Sequence, residues 1–267
     1  MKTTLVSIAT DTIPLDGLWH EPDSETPRGT ARNAVLLFHG NTMNFYTGAP
    51  RFLPPVLTAL GFSCLAFNRR GHDILAIRNS RAAEGAAFQT YEEAIADNRI
   101  AAEWVKARGF PAPIVVGHSN GGMLAVRHVA DHPETSKLVL LSAHCGGKNM
   151  LPLSCKNGLL ARDRLEEYLT LAKTLAPKQL MSMPGWWYVI TAEGFLDLQN
   201  CPDILELAPK IRCPVLYIRG DKEPRDLYPA EEFAKKTDCK VEIVANCDHF
   251  YNGREEAVCE LVSRWLG

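Results

Sequence analysis

Ile114-Val115-Val116-Gly117-His118-Ser119-Asn120-Gly121-Gly122-Met123-Leu124-Ala125-Val126 is the stretch on which the fold turns. An apolar run that breaks at glycine and resumes with small and apolar residues reads as a buried strand bending sharply into a helix. Gly117-x-Ser119-x-Gly121 at that bend fits a nucleophile elbow, in which a serine hydroxyl is held out on a tight turn. The glycines flank a position with no room for side chains, and the helix start after Ser119 supplies unpaired N–H groups and a positive dipole end. Five residues of this kind also describe an ordinary Gly-rich turn, so the weight of the pattern rests on its surroundings.

Those surroundings alternate between strand and helix. Leu5-Val6-Ser7-Ile8 and residues 13–19 read as two early strands turning near Asp11. After a polar loop rich in Pro, Ser and Thr, Ala34-Val35-Leu36-Leu37-Phe38 is a continuous apolar run, as expected of a strand covered on both faces. Residues 50–60 predict a helix ending at Gly61, and Phe62-Ser63-Cys64-Leu65-Ala66-Phe67 the next strand. Residues 91–108 are the clearest helix, with Ala94, Ile95, Ala101, Ala102, Trp104 and Val105 as its apolar stripe and Gly109 beyond its end. The elbow helix runs to about His132. Leu138-Val139-Leu140-Leu141, Val215-Leu216-Tyr217-Ile218 and Val241-Glu242-Ile243-Val244 are further strands, and residues 255–266 a closing helix. Such alternation predicts a mostly parallel sheet with helices on both faces.

Residues 145–210 break the rhythm, with no convincing strand run. Residues 159–175 read helical, and Met181-Ser182-Met183-Pro184-Gly185-Trp186-Trp187-Tyr188 is rich in aromatics and methionine. This predicts a helical cap inserted into a core of residues 1–144 and 211–267, lying over the strand ends as a lid. Adjacent Trp186 and Trp187 suit the wall of an apolar pocket, and favour the lid over a helical pair packed to one side.

Composition bounds the partners. Across 267 residues, 29 basic side chains face 31 acidic ones, so nothing electrostatic points to nucleic acid or an anionic membrane. No apolar stretch reaches the length of a membrane span or signal peptide, which predicts a soluble, cytoplasmic protein. Cys64, Cys145, Cys155, Cys201, Cys213, Cys239, Cys247 and Cys259 form no C-x-x-C pair and no zinc spacing, so they are expected to be reduced, mostly as small core residues. Cys247 stands apart because it lies two residues before His249.

A serine hydroxyl is a weak nucleophile without a base. Among eight histidines, His249 follows a strand in the loop Asn246-Cys247-Asp248-His249-Phe250, with Phe250 and Tyr251 placed to shield its ring. The imidazole needs an acid to hold its tautomer. Gly220-Asp221-Lys222-Glu223-Pro224-Arg225-Asp226 offers three carboxylates after the preceding strand, and the residues alone do not choose among them. Phe38-His39-Gly40-Asn41-Thr42 supplies the turn for an oxyanion hole, with the backbone N–H groups of Asn41 and Asn120 as donors and Thr42 and Met43 lining the site. His39 and His118 read as packing and hydrogen-bonding residues. Arg69, Arg70, Gly71 and His72 read as loop structure, with a substrate carboxylate as their alternative partner.

These stretches together resemble the α/β-hydrolase superfamily with a cap, of the esterase or lactonase-like serine-hydrolase kind. The resemblance spans nearly the whole chain. It rests on His39-Gly40 after one strand, Asn68-Arg69-Arg70-Gly71-His72 after the next, residues 117–122, Gly220-Asp221-Lys222-Glu223-Pro224 and Asp248-His249-Phe250, in the order serine, acid, histidine. It implies an eight-stranded, mostly parallel α/β-hydrolase sheet with helices on both faces and a small helical cap. It further implies a carboxylesterase or lactonase acting on a small to medium, partly apolar molecule, without cofactor or metal. A small-molecule substrate is the expected partner, and a homodimer is left open. The resemblance favours Glu223 as the acid and Asp221 next, although similar enzymes usually carry Asp where Glu223 stands. Serine as nucleophile argues against haloalkane dehalogenase chemistry. The same triad serves C–C bond hydrolysis of a diketone or ring-fission product, and a similar pocket serves small-molecule receptors with vestigial turnover.

Overall fold

Strands that are apolar at every position must be covered on both faces, and the centre of this molecule is built that way. The computed structural model describes residues 1–23, 33–77, 83–161, 164–183 and 185–267. Eight strands, β1 (Lys2–Ile8), β2 (Leu15–Glu21), β3 (Ala34–Phe38), β4 (Ser63–Phe67), β5 (Ile114–His118), β6 (Lys137–Leu141), β7 (Val215–Gly220) and β8 (Cys239–Val244), form one sheet. Their spatial order is β1-β2-β4-β3-β5-β6-β7-β8. β2 runs antiparallel to both of its neighbours, β1 and β4, and the remaining pairs run parallel. The helices are α1 (Ala49–Ala59), α2 (Tyr91–Lys106), α3 (Asn120–Asp131), α4 (Met150–Lys156), α5 (Leu165–Thr174), α6 (Ala192–Asp197), α7 (Ile204–Leu207), α8 (Ala230–Ala234) and α9 (Glu255–Leu266).

Side chains alternate across a strand, so each strand feeds two cores. Val35 and Leu37 of β3, Val116 of β5 and Ile218 of β7 pack with Leu53 of α1 and Val258 and Val262 of α9. Leu36, Phe38, Val115 and Tyr217 face the opposite way, toward Ala101 of α2, Leu124 of α3 and Phe233 of α8. A capping box starts α2: the Thr90 side chain accepts from the Glu93 amide, and the Glu93 carboxylate accepts from the Thr90 amide. Gly109, at φ 91°, turns the chain away after this helix.

The stretch between β6 and β7 holds α4 to α7 and also an antiparallel hairpin, Leu180–Ser182 with Val189–Thr191, where no strand was expected. Runs of three residues are too short to carry an alternation signal. The helix expected over 159–175 is shorter, because Gly158 at φ 76° turns the chain after α4 and α5 begins only at Leu165. Residues 162–163 of that expectation, Pro184 in the aromatic stretch and most of the polar loop before β3 lie outside the described residues. Met150, Tyr168, Met181, Tyr188, Phe195 and Ile204 share the core of α2 and α3, so this stretch packs onto the sheet's own helices. Among the described residues, no helix is long and apolar enough to cross a membrane.

Candidate active site

Ser119 stands between β5 and α3 at φ 56°, ψ −120°, a backbone region that non-glycine residues rarely occupy. Its amide donates to Leu141 O at 2.9 Å, while its carbonyl accepts from the amides of Gly122 (3.0 Å), Met123 (3.1 Å) and His144 (3.2 Å). The bend is so tight that a methyl group on Gly117 would lie 2.3 Å from Gly121 O. One on Gly121 would lie 2.3 Å from Phe38 O and 2.4 Å from His39 O. Both obstacles are backbone, which cannot swing aside. Gly121→Ala is therefore expected to cost at least about 1–3 kcal/mol, read as a lowered denaturation midpoint. An unchanged midpoint would contradict this contact between α3 and the end of β3.

Three side chains from different strand ends meet at this bend. The Ser119 hydroxyl lies 2.9 Å from His249 Nε2, and His249 Nδ1 lies 2.7 Å from Glu223 Oε1. Nδ1–H donating to the carboxylate leaves Nε2 free to accept the serine proton. Tyr228, which the sequence reading passed over, lies 4.8 Å from the His249 ring centre at 34°, and His118 lies 5.0 Å away at 33°. Phe250 meets the ring edge-on at 5.1 Å.

The three carboxylates of the β7 loop separate by partner. Only Glu223 faces the imidazole, with its side chain 3 % exposed. Arg219 braces the turn beneath it, donating from Nη1 to Gly220 O (3.0 Å) and Glu223 O (3.1 Å) and pairing with Glu231 at 2.8 Å. Asp221 accepts from the amides of Asn246 (2.9 Å) and Cys247 (3.1 Å), tying down the loop that carries His249. Those amide bonds hold its carboxyl below the usual range. Asp226 bonds Lys156 Nζ (2.6 Å) and Asn157 Nδ2 (3.1 Å), linking the loop to the end of α4. Cys247 is buried and its thiol pushed up to about 11 by burial, which leaves it a poor nucleophile beside His249.

The turn after β3, expected to form the oxyanion hole, presses against the serine: a methyl on Gly40 would lie 3.4 Å from Ser119 Cβ. The Arg69 amide donates to His39 Nε2 (3.2 Å), which leaves the ring proton on Nδ1 to donate to Gly40 O at 2.8 Å. Gly40 O also accepts from the Met43 amide at 3.3 Å, so the Gly40–Asn41 peptide plane is held from two sides. Among the described residues, neither the Asn41 nor the Asn120 N–H donates to a protein acceptor. Their side chains do have partners: Asn41 Nδ2 donates to Tyr188 Oη and Tyr91 Oη to Asn120 Oδ1, each at 3.2 Å. Thr42 takes φ 55° in this turn, and Met43 packs against Gly40 and Gly48.

Trp186 and Trp187, expected to wall the pocket, are 40 % and 74 % exposed, and the buried Tyr188 beside them is what reaches the Asn41 turn. A tyrosine next to two tryptophans offers no separate sequence signal. The Asn68–His72 loop is tied up structurally. Arg69 Nη2 donates to His39 O at 2.6 Å, Arg70 grips the buried Asp97, and His72 bonds Asp73 and Glu84.

Three histidines are kept neutral. Burial, reinforced by His249, pushes His118 and His144 down to about 3, and burial with the neighbouring His132 does the same to His128. His118 still donates from Nε2 to His249 O at 2.9 Å, bracing the loop that carries His249. Above the ordinary value of 6.5 these rings are neutral in both folded and unfolded chains, so they add no pH dependence there. Between 6.5 and about 3 the unfolded chain binds protons that the folded one refuses, so stability falls on acidification. The thermal midpoint should therefore drop between pH 6.5 and 4, and a flat midpoint would mean that these rings take up protons without unfolding.

Comparison with known proteins agrees with this architecture. The family model described as "Alpha/beta hydrolase family" matches residues 35–261. A sequence search of curated proteins finds no match. Among solved structures, Est1E from Butyrivibrio proteoclasticus with bound ferulic acid superposes with a TM-score of 0.74 at 19 % identity, over 98 % of this chain and 97 % of that one. A soluble variant of monoglyceride lipase from Saccharomyces cerevisiae, in complex with a substrate analog, superposes with a TM-score of 0.75 at 15 % identity, over 100 % and 95 %. At such identities the likeness concerns the fold alone.

Proposed function

Because the chain belongs to the alpha/beta hydrolase family, we propose that it is a serine hydrolase cleaving a carboxylic ester or lactone of a small to medium, partly apolar molecule through an acyl-enzyme. The observation that carries this reading is the unbroken path from Ser119 Oγ through His249 to Glu223, with links of 2.9 and 2.7 Å. In the proposed reaction His249 Nε2 takes the hydroxyl proton as Ser119 Oγ attacks the carbonyl carbon. The Asn41 and Asn120 amides stabilise the oxyanion. The C–O bond then breaks, and the imidazolium returns its proton to the leaving alcohol. Water, deprotonated by the same nitrogen, releases the acid and restores the serine.

Residues 145–210 act in this proposal as the cap that selects the substrate. The Tyr188–Asn41 bond brings the cap to the oxyanion turn, and the partly apolar substrate matches the apolar side chains that the stretch carries. That Est1E was solved with ferulic acid and the yeast protein is a monoglyceride lipase is in keeping with ester chemistry. A panel of aryl esters, lactones and β-diketones tests the reading: ester or lactone turnover well above diketone cleavage is expected. A strong preference for the diketone would reassign the same triad to C–C bond hydrolysis, and ligand binding without multiple turnover would point to a receptor.

A further inference from the structure

Glu223 differs from an aspartate in having one more rotatable bond, so its carboxylate must be held from outside if one oxygen is to stay on His249. Oε1 faces His249 Nδ1 at 2.7 Å, and Oε2 accepts from the Gly220 amide at 2.7 Å and from Ser142 Oγ at 2.5 Å. Ser142 directly follows β6, the strand beside β7, and is fully buried. It sits at φ 47°, with its amide on Ile218 O at 2.8 Å. A strained backbone of this kind persists only where the surroundings over-determine it. Behind it, Tyr251 Oη lies 2.6 Å from Ser142 Oγ and 3.0 Å from Ile218 O. Tyr251 is itself buried, at φ 59°, two residues after the base.

Counting protons orients the chain. A carboxylate oxygen only accepts, so the single Ser142 proton goes to Glu223 Oε2. Ser142 Oγ then accepts from the Tyr251 phenol, whose one proton is shared with Ile218 O. Each donation strengthens the next. The remaining groups that face Glu223 do not replace this support. The Arg219 guanidinium spends its bonds on backbone carbonyls and Glu231, and Tyr217, Tyr228 and Cys247 are kept protonated by burial.

We propose that Ser142 and Tyr251 are positioning residues that fix the orientation and tune the basicity of the Glu223–His249 pair. This rests on the serine-hydrolase reading. Without the Ser142 donor, more charge stays on the carboxylate. Protonation of the pair becomes easier, whether the proton settles on His249 or on Glu223.

The test is the pH profile of kcat/KM for an activated ester, measured on Ser142→Ala, Tyr251→Phe, the double variant and Ser119→Ala. Ser142→Ala should lose roughly ten- to a hundredfold in kcat/KM, as for a lost bond to a charged group. Its acid limb should move to higher pH. Tyr251→Phe should move the limb the same way by less, and the double variant should be no worse than Ser142→Ala, because the tyrosine acts through the serine. Folded variants with an unmoved acid limb would overturn the proposal, even if their melting temperatures fall. Should Ser142→Ala not fold, Tyr251→Phe decides alone. Ser119→Ala separates the two levels: if it stays active, the hydrolase reading itself fails, whatever the limbs do.

Discussion

Ser119→Ala should reduce ester turnover by roughly 10³- to 10⁶-fold, leaving only what the oxyanion turn and substrate binding supply by themselves. The size of this effect follows from the geometry of the elbow. The bend presents the hydroxyl at 2.9 Å from an imidazole that is itself braced by a buried carboxylate. The neighbouring histidines are pushed down to about 3 and already committed, His118 to His249 O and His144 Nδ1 to the Gly146 amide. None of them is placed to activate a substitute nucleophile. The variant should fold normally, because the bend is set by backbone bonds at Leu141, Gly122 and Met123 that alanine keeps. Kinetics with an activated aryl ester, alongside circular dichroism, check both halves. Activity within tenfold of the parent would mean that another group attacks the carbonyl.

Glu223→Gln should be nearly as damaging, with a loss of about 10³- to 10⁴-fold in kcat. The substitution preserves shape but turns an acceptor into a mixed donor and acceptor. If the amide nitrogen faces His249 Nδ1, the ring must carry its proton on Nε2, where it can no longer receive one from Ser119. If the amide oxygen faces the ring instead, the nitrogen meets the Gly220 amide and the Ser142 hydroxyl, and a donor-to-donor clash replaces a 2.7 Å bond. Either way the forming imidazolium loses its counter-charge. Asp221→Asn is the control in the same experiment, since its carboxylate serves the Asn246 and Cys247 amides and leaves the ring untouched. It should cost far less. Equal, small effects from both variants would mean that neither residue is the acid.

The contrast between those two carboxylates shows where a linear reading runs out. Asp221, Glu223 and Asp226 lie within six residues of one loop, and nothing in their order says which one points inward. The choice depends on how the chain turns after Gly220, where a methyl group would lie 2.4 Å from Cys247 O. That tight passage, with Arg219 clasping the carbonyls on either side of the turn, sends Glu223 under the base and leaves Asp221 at the rim. The tryptophans tell a similar story. Two adjacent large aromatics suggested a pocket wall, yet in the turn that joins the two hairpin strands both are exposed and Tyr188 is the buried one.

What the sequence determined by itself is what local physics can encode. Continuous apolar runs required strands covered twice, glycines at 117, 121 and 122 required a bend without side chains, and a serine at its apex followed from the spacing. Beyond His249, already marked by its loop after a strand, the tertiary structure alone decided which further distant groups gather at that bend. His249 lies 130 residues from Ser119, Ser142 lies 81 from Glu223 and Tyr251 lies 109 from Ser142. Contacts over such separations leave no periodicity to read. They exist because parallel strands place their C-terminal ends side by side, and it is the order of strands in the sheet, not the order along the chain, that makes neighbours of the loops.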